Sequence, residues 1–312
     1  MTPPDDPTVE VPFAPVEVPF APGEIDLDRL DRAFRDALRN QRSHALRVVG
    51  YGEISVAFAW PPEHPSVVAK SLPPFADVRR YEAYVGLLHD YLEILADRGV
   101  NTVPTAVRAV TEGNRRRAYV FQPRIPPEAI GSAVLARADA EEGEALLAGI
   151  VANVLRSSDR DVGIDGQVSN WAATEGTLRY LDVSTPMLRG ANRRDRLDTE
   201  LFVDAVPWVL RQPVNRYVAP ELLSPYHEPR RVVLDAAGNL LRERLARWIP
   251  LLLRIANPYL DRPLTVHEVR RFYRGNARMW TTLQSLRRAD RWWQTRIRRR
   301  EYPFLLPESY RR

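Results

Sequence analysis

Two aspartates and one asparagine in the middle of the chain have the types and spacing of a site for proton transfer and cation binding. Asp165 and Asn170 lie five residues apart in a predicted loop, and Asp182 ends the strand-like segment 178–182. Hard cations prefer carboxylate and amide oxygens as ligands, and a carboxylate can also accept a hydroxyl proton. Turns use the same residue types, because Asp and Asn side chains bond to nearby backbone. The spacing favours a catalytic and metal site and leaves a purely structural role open.

Lys70 is the only lysine among 45 basic residues. In so arginine-rich a chain, this suggests a position that needs a compact ammonium rather than a planar guanidinium. The apolar run 67–69 precedes it, so we predict a strand with a half-buried lysine, which requires an anionic partner. Glu82, on a predicted helix, is the expected partner. The alternatives are a surface lysine that has survived by chance and a solvated glutamate.

A glycine-bearing turn precedes the lysine strand. It reads GYGEIS and contains Gly50, Gly52 and Ser55. Glycines in such a turn allow backbone amides to approach phosphate oxygens closely. An ordinary hairpin turn has the same composition, so this motif gains weight only from its neighbours.

The elements that must position these residues follow from hydrophobic periodicity and turn residues. A helix is predicted over 26–40, and a second one over 77–98 ends at Gly99. Strands are predicted over 45–49, 55–60, 66–71, 105–110 and 117–122, which gives the order β-β-β-α-β-β. After Pro123 the sequence predicts a long helix over 139–157, a strand pair within 161–182, and helices over 198–211, 233–255, 265–285 and 288–300. The expected fold class is therefore α+β, with a β-rich N-terminal lobe and a mostly helical C-terminal lobe.

Domain boundaries follow from the same change of character. We predict a Pro-rich arm over 1–23, an N-lobe over 24–122 and a C-lobe over 123–312, with a hinge over 121–125. The arm contains the heptad VEVPFAP twice in succession. Two prolines in every seven residues exclude a helix and favour an extended segment.

Composition excludes several classes of function. The chain has no cysteine, which excludes disulfides and thiolate metal sites, and its net charge of +5 is too small to indicate nucleic acid. The N-terminal sequence lacks the features of a secretory signal, and the apolar stretch 248–253 is too short to span a bilayer. We therefore expect a cytoplasmic protein. The Arg-rich segment 287–302 favours an amphipathic helix, with a surface for nucleic acid or an acidic partner as the alternative.

In order and context these motifs resemble the protein-kinase-like fold, in particular its aminoglycoside- and choline-kinase-like phosphotransferase branch. The resemblance covers about residues 45–185. It implies that Gly50, Gly52 and Ser55 cover a nucleotide, that Lys70 contacts phosphates while paired with Glu82, and that Asp165 is the catalytic base. It also implies Asn170 and Asp182 as Mg²⁺ ligands, and Phe121 and Gln122 as backbone contacts to the base of ATP.

The sequence departs from the family pattern at two places. Gly163 and Ile164 replace the usual His or Arg before the base, and Val183-Ser184 follows Asp182 where Phe-Gly is usual. A short match to the Ala-Pro-Glu element lies at 219–221, and Asp235 follows at about the family spacing. A three-residue match of this kind can arise by chance as readily as by common ancestry.

These patterns predict an ATP- and Mg²⁺-dependent transfer of phosphate to a hydroxyl of a small molecule or of a peptide Ser/Thr. The arginines of the C-lobe favour an anionic or peptide acceptor. A nucleotide-binding scaffold without turnover is the alternative, and the two departures motivate it. Nucleic acid and membranes are not expected partners.

Overall fold

The structure is a computed structural model. It describes residues 20–40, 46–52, 55–174, 176–198, 223–275 and 296. Within these ranges the protein is α+β: a five-stranded antiparallel sheet in the N-terminal part is followed by a mostly helical C-terminal part.

The sheet has the strand order β1-β2-β3-β5-β4. Its strands are β1 (Arg47–Tyr51), β2 (Val56–Trp60), β3 (Val67–Ser71), β4 (Ala106–Glu112) and β5 (Arg115–Pro123). Alternation gives it two distinct faces, since successive side chains of a strand point in opposite directions. Phe58, Ala69 and Phe121 belong to one face, whereas Lys70 and its cross-strand neighbours belong to the other.

Helix α1 (Leu27–Asn40) covers the first of these faces. Its buried residues Leu30, Phe34 and Leu38 recur every four positions, which places them on one side of a helix. The Phe34 ring stacks on Phe58 with 5.8 Å between centroids. The face opposite α1 is therefore left for the rest of the molecule.

The end of the Pro-rich arm lies against the same part of the fold. Phe20, from the second heptad, packs against the core formed by α1 and the sheet. A guanidinium nitrogen of Arg108 donates hydrogen bonds to the carbonyls of Pro22 and Ile25, each 2.8 Å long. The earlier residues of the arm lie outside the described part of the chain.

Helix α2 (Val78–Asp97) lies between β3 and β4 in the sequence. The Asp77 carboxylate caps it by accepting from the backbone N–H of Arg80, and Gly99 follows its end with a φ of 70°. These two residues were the predicted start and stop. The buried side of α2 carries Tyr84, Leu88 and Tyr91.

The C-terminal part contains α3 (Gly131–Arg137), α4 (Ala140–Ser157), α5 (Pro229–Arg242), α6 (Ile249–Ala256) and the helical residues 266–275. Between α4 and α5, the strands β6 (Trp171–Thr174) and β7 (Thr177–Tyr180) form a hairpin. One continuous core joins the buried side of α2 to α4, α5 and α6. None of the described helices is long and apolar enough to cross a membrane.

The predicted order β-β-β-α-β-β and the helix over 139–157 are confirmed. The predicted helix over 233–255 is instead two helices, because the chain turns after α5 through Arg244, whose φ is 62°. Helix α3 was not predicted. The helices expected over 198–211 and 288–300, and the match at 219–221, lie outside the described residues, and the one over 265–285 is described only up to 275.

Candidate active site

The β6–β7 hairpin brings Asn170 and Asp182 to the same end of two strands. Trp171 opens β6 and pairs with Tyr180, the last residue of β7. Asn170 therefore lies opposite Leu181, and the Leu181 N–H donates to the Asn170 carbonyl over 2.8 Å. Residues twelve positions apart become neighbours because the hairpin is short and antiparallel.

Lys70 reaches this hairpin from the sheet. It lies in a cross-strand row with Gly50, Ala57 and Val120, so all four positions share the face opposite α1. Its Nζ lies 2.8 Å from Oδ1 of Asp182 and 3.4 Å from Oγ of Ser184. The Lys70 side chain is 16% exposed and that of Asp182 is 30% exposed, so the ion pair is sheltered and still reachable from solvent.

The charge of Lys70 determines the protonation state of Asp182. Burial alone would raise the pKa of the Asp182 carboxyl, but the Lys70 ammonium and the hydrogen bonds from Lys70 and Ser184 outweigh burial and lower that pKa below its usual value. Asp182 is therefore a carboxylate at neutral pH, as a cation ligand has to be.

Asp165 lies in the loop between α4 and β6, and its environment is the opposite. The residue is 7% exposed, and its Oδ1 accepts a 2.9 Å hydrogen bond from the backbone N–H of Gln167. Burial, followed by the negative charges of Asp235 and Asp182, raises the pKa of Asp165 well above its usual value. Two nearby carboxyl groups with pKa values shifted in opposite directions suit separate roles, one as a proton acceptor and one as a permanent anion.

Two tyrosines of α2 hold this loop and the segment after β7. The Tyr84 hydroxyl donates to the Ser184 carbonyl over 2.9 Å, and the Tyr91 hydroxyl donates to the Gly163 carbonyl over 2.8 Å. Burial raises the pKa of both hydroxyls, which keeps them protonated and able to donate. Helix α2 is therefore fixed to both sides of the candidate site.

Glu82 does not supply the partner of Lys70 in this structure. It is exposed, no hydrogen bond or ion pair joins it to Lys70, and the carboxylate that Lys70 contacts is Asp182. The reason is helix geometry: Glu82 precedes Tyr84 by two positions, which rotates it about 200° away from the buried side of α2.

Gly50 was predicted in the turn but lies within β1, whereas Gly52 and Ser55 lie between β1 and β2 as predicted. Gly50 lies in β1 beside a register shift between Val48 and Gly50, and Gly52 donates its N–H to the Ser55 carbonyl over 2.9 Å. A Cβ on Gly52 would lie 2.6 Å from Oγ of Ser55, whereas a Cβ on Gly50 would meet no atom within 4 Å. Rotation of the Ser55 hydroxyl would relieve the contact at position 52, so packing does not require glycine at either position.

Phe121 and Gln122 lie at the end of β5. Phe121 is fully buried on the side of α1 and pairs with Ala69 of β3 and Ala106 of β4. The Gln122 side chain donates to the Leu181 carbonyl over 2.8 Å, which ties the sheet to the residue before Asp182. Contact of their backbone with a nucleotide base stays a prediction.

The residues that could hold Mg²⁺ are Asn170 and Asp182. Neither the Asn170 side chain nor Oδ2 of Asp182 accepts or donates a hydrogen bond within the described part of the chain, which leaves hard oxygen donors open. In the same residues, no group of three or more His, Cys, Asp or Glu side chains is arranged to hold a metal ion alone. A two-ligand site fits Mg²⁺, which commonly keeps waters and phosphate oxygens as its other ligands.

Gly163 lies at a crowded position in the loop before Asp165. A Cβ there would lie 3.0 Å from Cβ of Met187 and 3.2 Å from Nε2 of His227. The His227 ring is buried, and its Nδ1 lies 3.2 Å from the Asp159 carbonyl. Its burial lowers the pKa of the imidazole, so the ring that fills this space is neutral at pH 7.

Sequence reasoning missed several residues of the site. Gln167 and Asp235 contact or face Asp165, Ser184 contacts Lys70, and Tyr84 and Tyr91 donate to the surrounding backbone. The spacing of Asp235 was a usable signal, and so was the seven-residue interval between the tyrosines, which places them two turns apart on one side of a helix.

The fold and site together define an α+β protein with a lysine–aspartate pair between its sheet and a β-hairpin. The chain belongs to DUF6206, a family of unknown function, which matches residues 29–291. That range includes every element that contributes a side chain to the candidate site. No curated protein matches the chain.

Proposed function

We propose that this protein is an ATP- and Mg²⁺-dependent phosphotransferase of the protein-kinase-like kind, acting on a hydroxyl group of a small molecule or of a peptide Ser/Thr. The observation that carries the proposal is the 2.8 Å contact between Lys70 and Asp182. The contact joins Lys70 of β3, which shares a cross-strand row with Gly50, to the carboxylate that follows β7. Asn170 lies at the same end of the β6–β7 hairpin as this carboxylate. Phosphoryl transfer needs such an arrangement of cation, metal ligands and base more than it needs a nucleophilic side chain.

The architecture supports the same assignment. The strand order β1-β2-β3-β5-β4, with α2 following the lysine strand, resembles the N-lobe of that fold. The order base, amide, hairpin and strand-end carboxylate in the C-terminal part resembles its catalytic loop and metal-binding segment. The two-lobed kinase-like fold is thus part of the proposal.

Each polar residue has a task in the reaction. Lys70 has three N–H donors, so it can keep its bond to Asp182 while it donates to oxygens of the triphosphate. The acceptor hydroxyl oxygen forms a bond to the γ-phosphorus as the bond from that phosphorus to the β–γ bridging oxygen breaks. The hydroxyl proton passes to Asp165, whose raised pKa makes it a stronger base than an ordinary aspartate. The products are the phosphorylated acceptor and ADP.

Bound Mg²⁺, held by Asn170 and Asp182, would neutralise charge on the phosphates. The protein's own contribution is to keep Asp182 ionised through Lys70 and to keep Asn170 beside it through the Leu181–Asn170 backbone bond. Burial of Asp165 excludes water from the base.

The test is ATP turnover with a panel of hydroxyl-bearing acceptors, measured as ADP release and as phosphorylated product. We expect Asp165→Asn and Lys70→Ala each to lower kcat/KM by about 10²-fold or more, because each removes a base or a phosphate contact. Asp97→Asn, an exposed residue near the end of α2, is the matched control and should retain activity. Full activity in the two site variants would refute the assignment.

A nucleotide-binding scaffold is the second candidate. The observation that favours it is that Lys70 and Ser184 both occupy the Oδ1 side of Asp182. On this alternative ATP binds, as seen by a Mg²⁺-dependent rise in melting temperature, but no γ-phosphate is released with any acceptor. Release above the Asp165→Asn background decides for the enzyme.

A further inference from the structure

Gln167 connects the buried carboxyl group of Asp165 to the half-buried carboxyl group of Asp235. Its backbone N–H donates to Oδ1 of Asp165 over 2.9 Å, and its side-chain Nε2 donates to Oδ2 of Asp235 over 2.7 Å. Asp165 comes from the loop before β6 and Asp235 from the middle of α5. A single residue thus fixes the distance and orientation between a proposed base and a second acid.

The same amide is oriented by a cation. Arg242 follows Asp235 by seven positions, which is two turns on the same side of α5. Its Nη2 donates to Oε1 of Gln167 over 2.9 Å, and its side chain is exposed. The Gln167 amide therefore has its nitrogen directed at an anion and its oxygen at a cation.

The groups around Asp165 come from two helices, two strands and the segment after β7. Helix α5 contributes Asp235 and Arg242, and the segment after β7 contributes Asp182, whose charge Lys70 of β3 offsets. The nearby Tyr91 of α2 and Tyr180 of β7 are kept uncharged by burial, and the Tyr180 hydroxyl accepts from the Asp165 N–H. Burial raises the pKa of Asp235 as well, and Asp235 has no ammonium of its own, so Arg242 is the cation that opposes this rise.

We propose that Asp235 and Arg242 act, through Gln167, as positioning residues that tune Asp165 in opposite directions, with Asp235 strengthening it as a base and Arg242 weakening it. This inference rests on the proposed function, in which Asp165 takes the proton of the acceptor hydroxyl. The physical basis is that a nearby negative charge favours the protonated form of a carboxyl group and a nearby positive charge favours the ionised form. Burial strengthens both effects, since charges interact more strongly where water is excluded.

The experiment compares pH profiles of kcat/KM for the wild type, Asp235→Asn and Arg242→Gln. Both substitutions remove a charge and keep a hydrogen-bonding group within reach of Gln167. We expect the acidic limb of the profile to move to lower pH in Asp235→Asn and to higher pH in Arg242→Gln. Loss of packing alone would not move the limb in opposite directions in two variants of the same helix.

The control on that helix is Arg231→Gln. Arg231 is exposed and pairs with Glu228 three positions earlier, away from Gln167. Its removal changes the net charge by as much as Arg242→Gln does, so its limb should coincide with that of the wild type. Limbs that coincide in all four proteins, or that move the same way in Asp235→Asn and Arg242→Gln, overturn the inference.

A direct titration separates this inference from the proposed function. The ¹³C signal of the Asp165 carboxyl carbon, assigned by its loss in Asp165→Asn, reports protonation without any substrate. The midpoint should fall in Asp235→Asn and rise in Arg242→Gln whether or not ATP is turned over. Opposite shifts without turnover would support the network and count against the phosphotransferase, whereas turnover with unmoved midpoints would do the reverse.

Discussion

Lys70 and Asp182 are 112 positions apart in the sequence, and their ion pair is a direct polar link between the sheet and the hairpin. Gln122 provides a second link through the Leu181 carbonyl. Lys70 lies on a central strand and Asp182 directly follows β7. Small motions of the sheet or the hairpin would therefore change the distance between the two side chains. The pair therefore has a structural role in addition to its proposed contact with phosphates.

Lys70→Met should destabilise the protein by about 1–3 kcal/mol at pH 7, because it leaves a sheltered carboxylate without its cation. The sign of the pH dependence follows from the pKa of Asp182. In the wild type that pKa lies below its unfolded value, so the pair stabilises the fold above the unfolded pKa and ceases to do so as pH falls through the lowered value. In Lys70→Met burial raises the pKa instead, so acid relieves the defect.

The measurement is urea unfolding at pH 7 and again near pH 3. We expect the difference between variant and wild type to shrink at the lower pH. Arg254→Met is the control, because Arg254 forms an ion pair with Glu144 whose side chains are 66% and 52% exposed, and it should stay close to the wild type at both pH values. A deficit in Lys70→Met that grows towards acid would contradict the prediction.

Residue types predicted which residues belong to part of this site, but they did not predict which side chains contact each other. The sole lysine, the interval between Asp165 and Asn170, and the carboxylate after a strand are visible in the sequence. The partner of Lys70 is not visible, because it depends on which side of α2 faces the sheet. Counting from the aromatic positions Tyr84 and Tyr91 would have placed Glu82 on the solvent side.

At the scale of elements, α2 is fixed by hydrogen bonds at its buried side. Tyr84 holds the segment after Asp182 and Tyr91 holds the loop before Asp165. Rotation of the helix by a fraction of a turn would break both bonds at once. The described geometry thus favours a site whose loops are positioned before any ligand binds.

Replacement of glycine by alanine should have opposite effects on stability in two helices, α4 and α2. A Cβ on Gly143 of α4 would lie 2.1 Å from the Trp248 indole, so Gly143→Ala should cost about 1–3 kcal/mol through overpacking. A Cβ on Gly86 of α2 would meet nothing within 4 Å, so Gly86→Ala should stabilise by about 0.5–1 kcal/mol. Chemical denaturation of both variants checks the pair. Stabilisation in both variants would show that helix propensity alone decides.

Elements were predictable where periodicity and stop signals agree. The capping Asp77 and the terminal Gly99 delimited α2, and alternation delimited β2 and β3. The helix over 233–255 was predicted as one although Pro250 lies within it; the chain adopts a left-handed turn at Arg244, and Pro250 lies in the first turn of α6. Tertiary packing decides such a break, and periodicity does not record it.

At the scale of the whole molecule, the candidate site draws on the sheet, the loop after α4, the hairpin and α5. A ligand that contacts all of them should stabilise the fold as a unit. At 100 times its Kd, ATP with Mg²⁺ should contribute about 2.7 kcal/mol and raise Tm by roughly 4 °C.

Thermal melts with ATP alone, with Mg²⁺ alone and with both test this expectation. Lys70→Ala and Asp182→Asn should lose most of the rise, whereas Asp97→Asn should keep it. An equal rise in the site variants would place nucleotide binding elsewhere on the protein.

The solitary amine at Lys70 has a practical consequence. Apart from the chain's N-terminus, an amine-directed acylating reagent can modify this protein at one place, and that place is 16% exposed and held against Asp182. The rate at which Lys70 is acylated therefore measures the accessibility of this one site without any mutation. Peptide mass spectrometry of the fragment around residue 70 would report how strongly each candidate ligand protects Lys70 from modification.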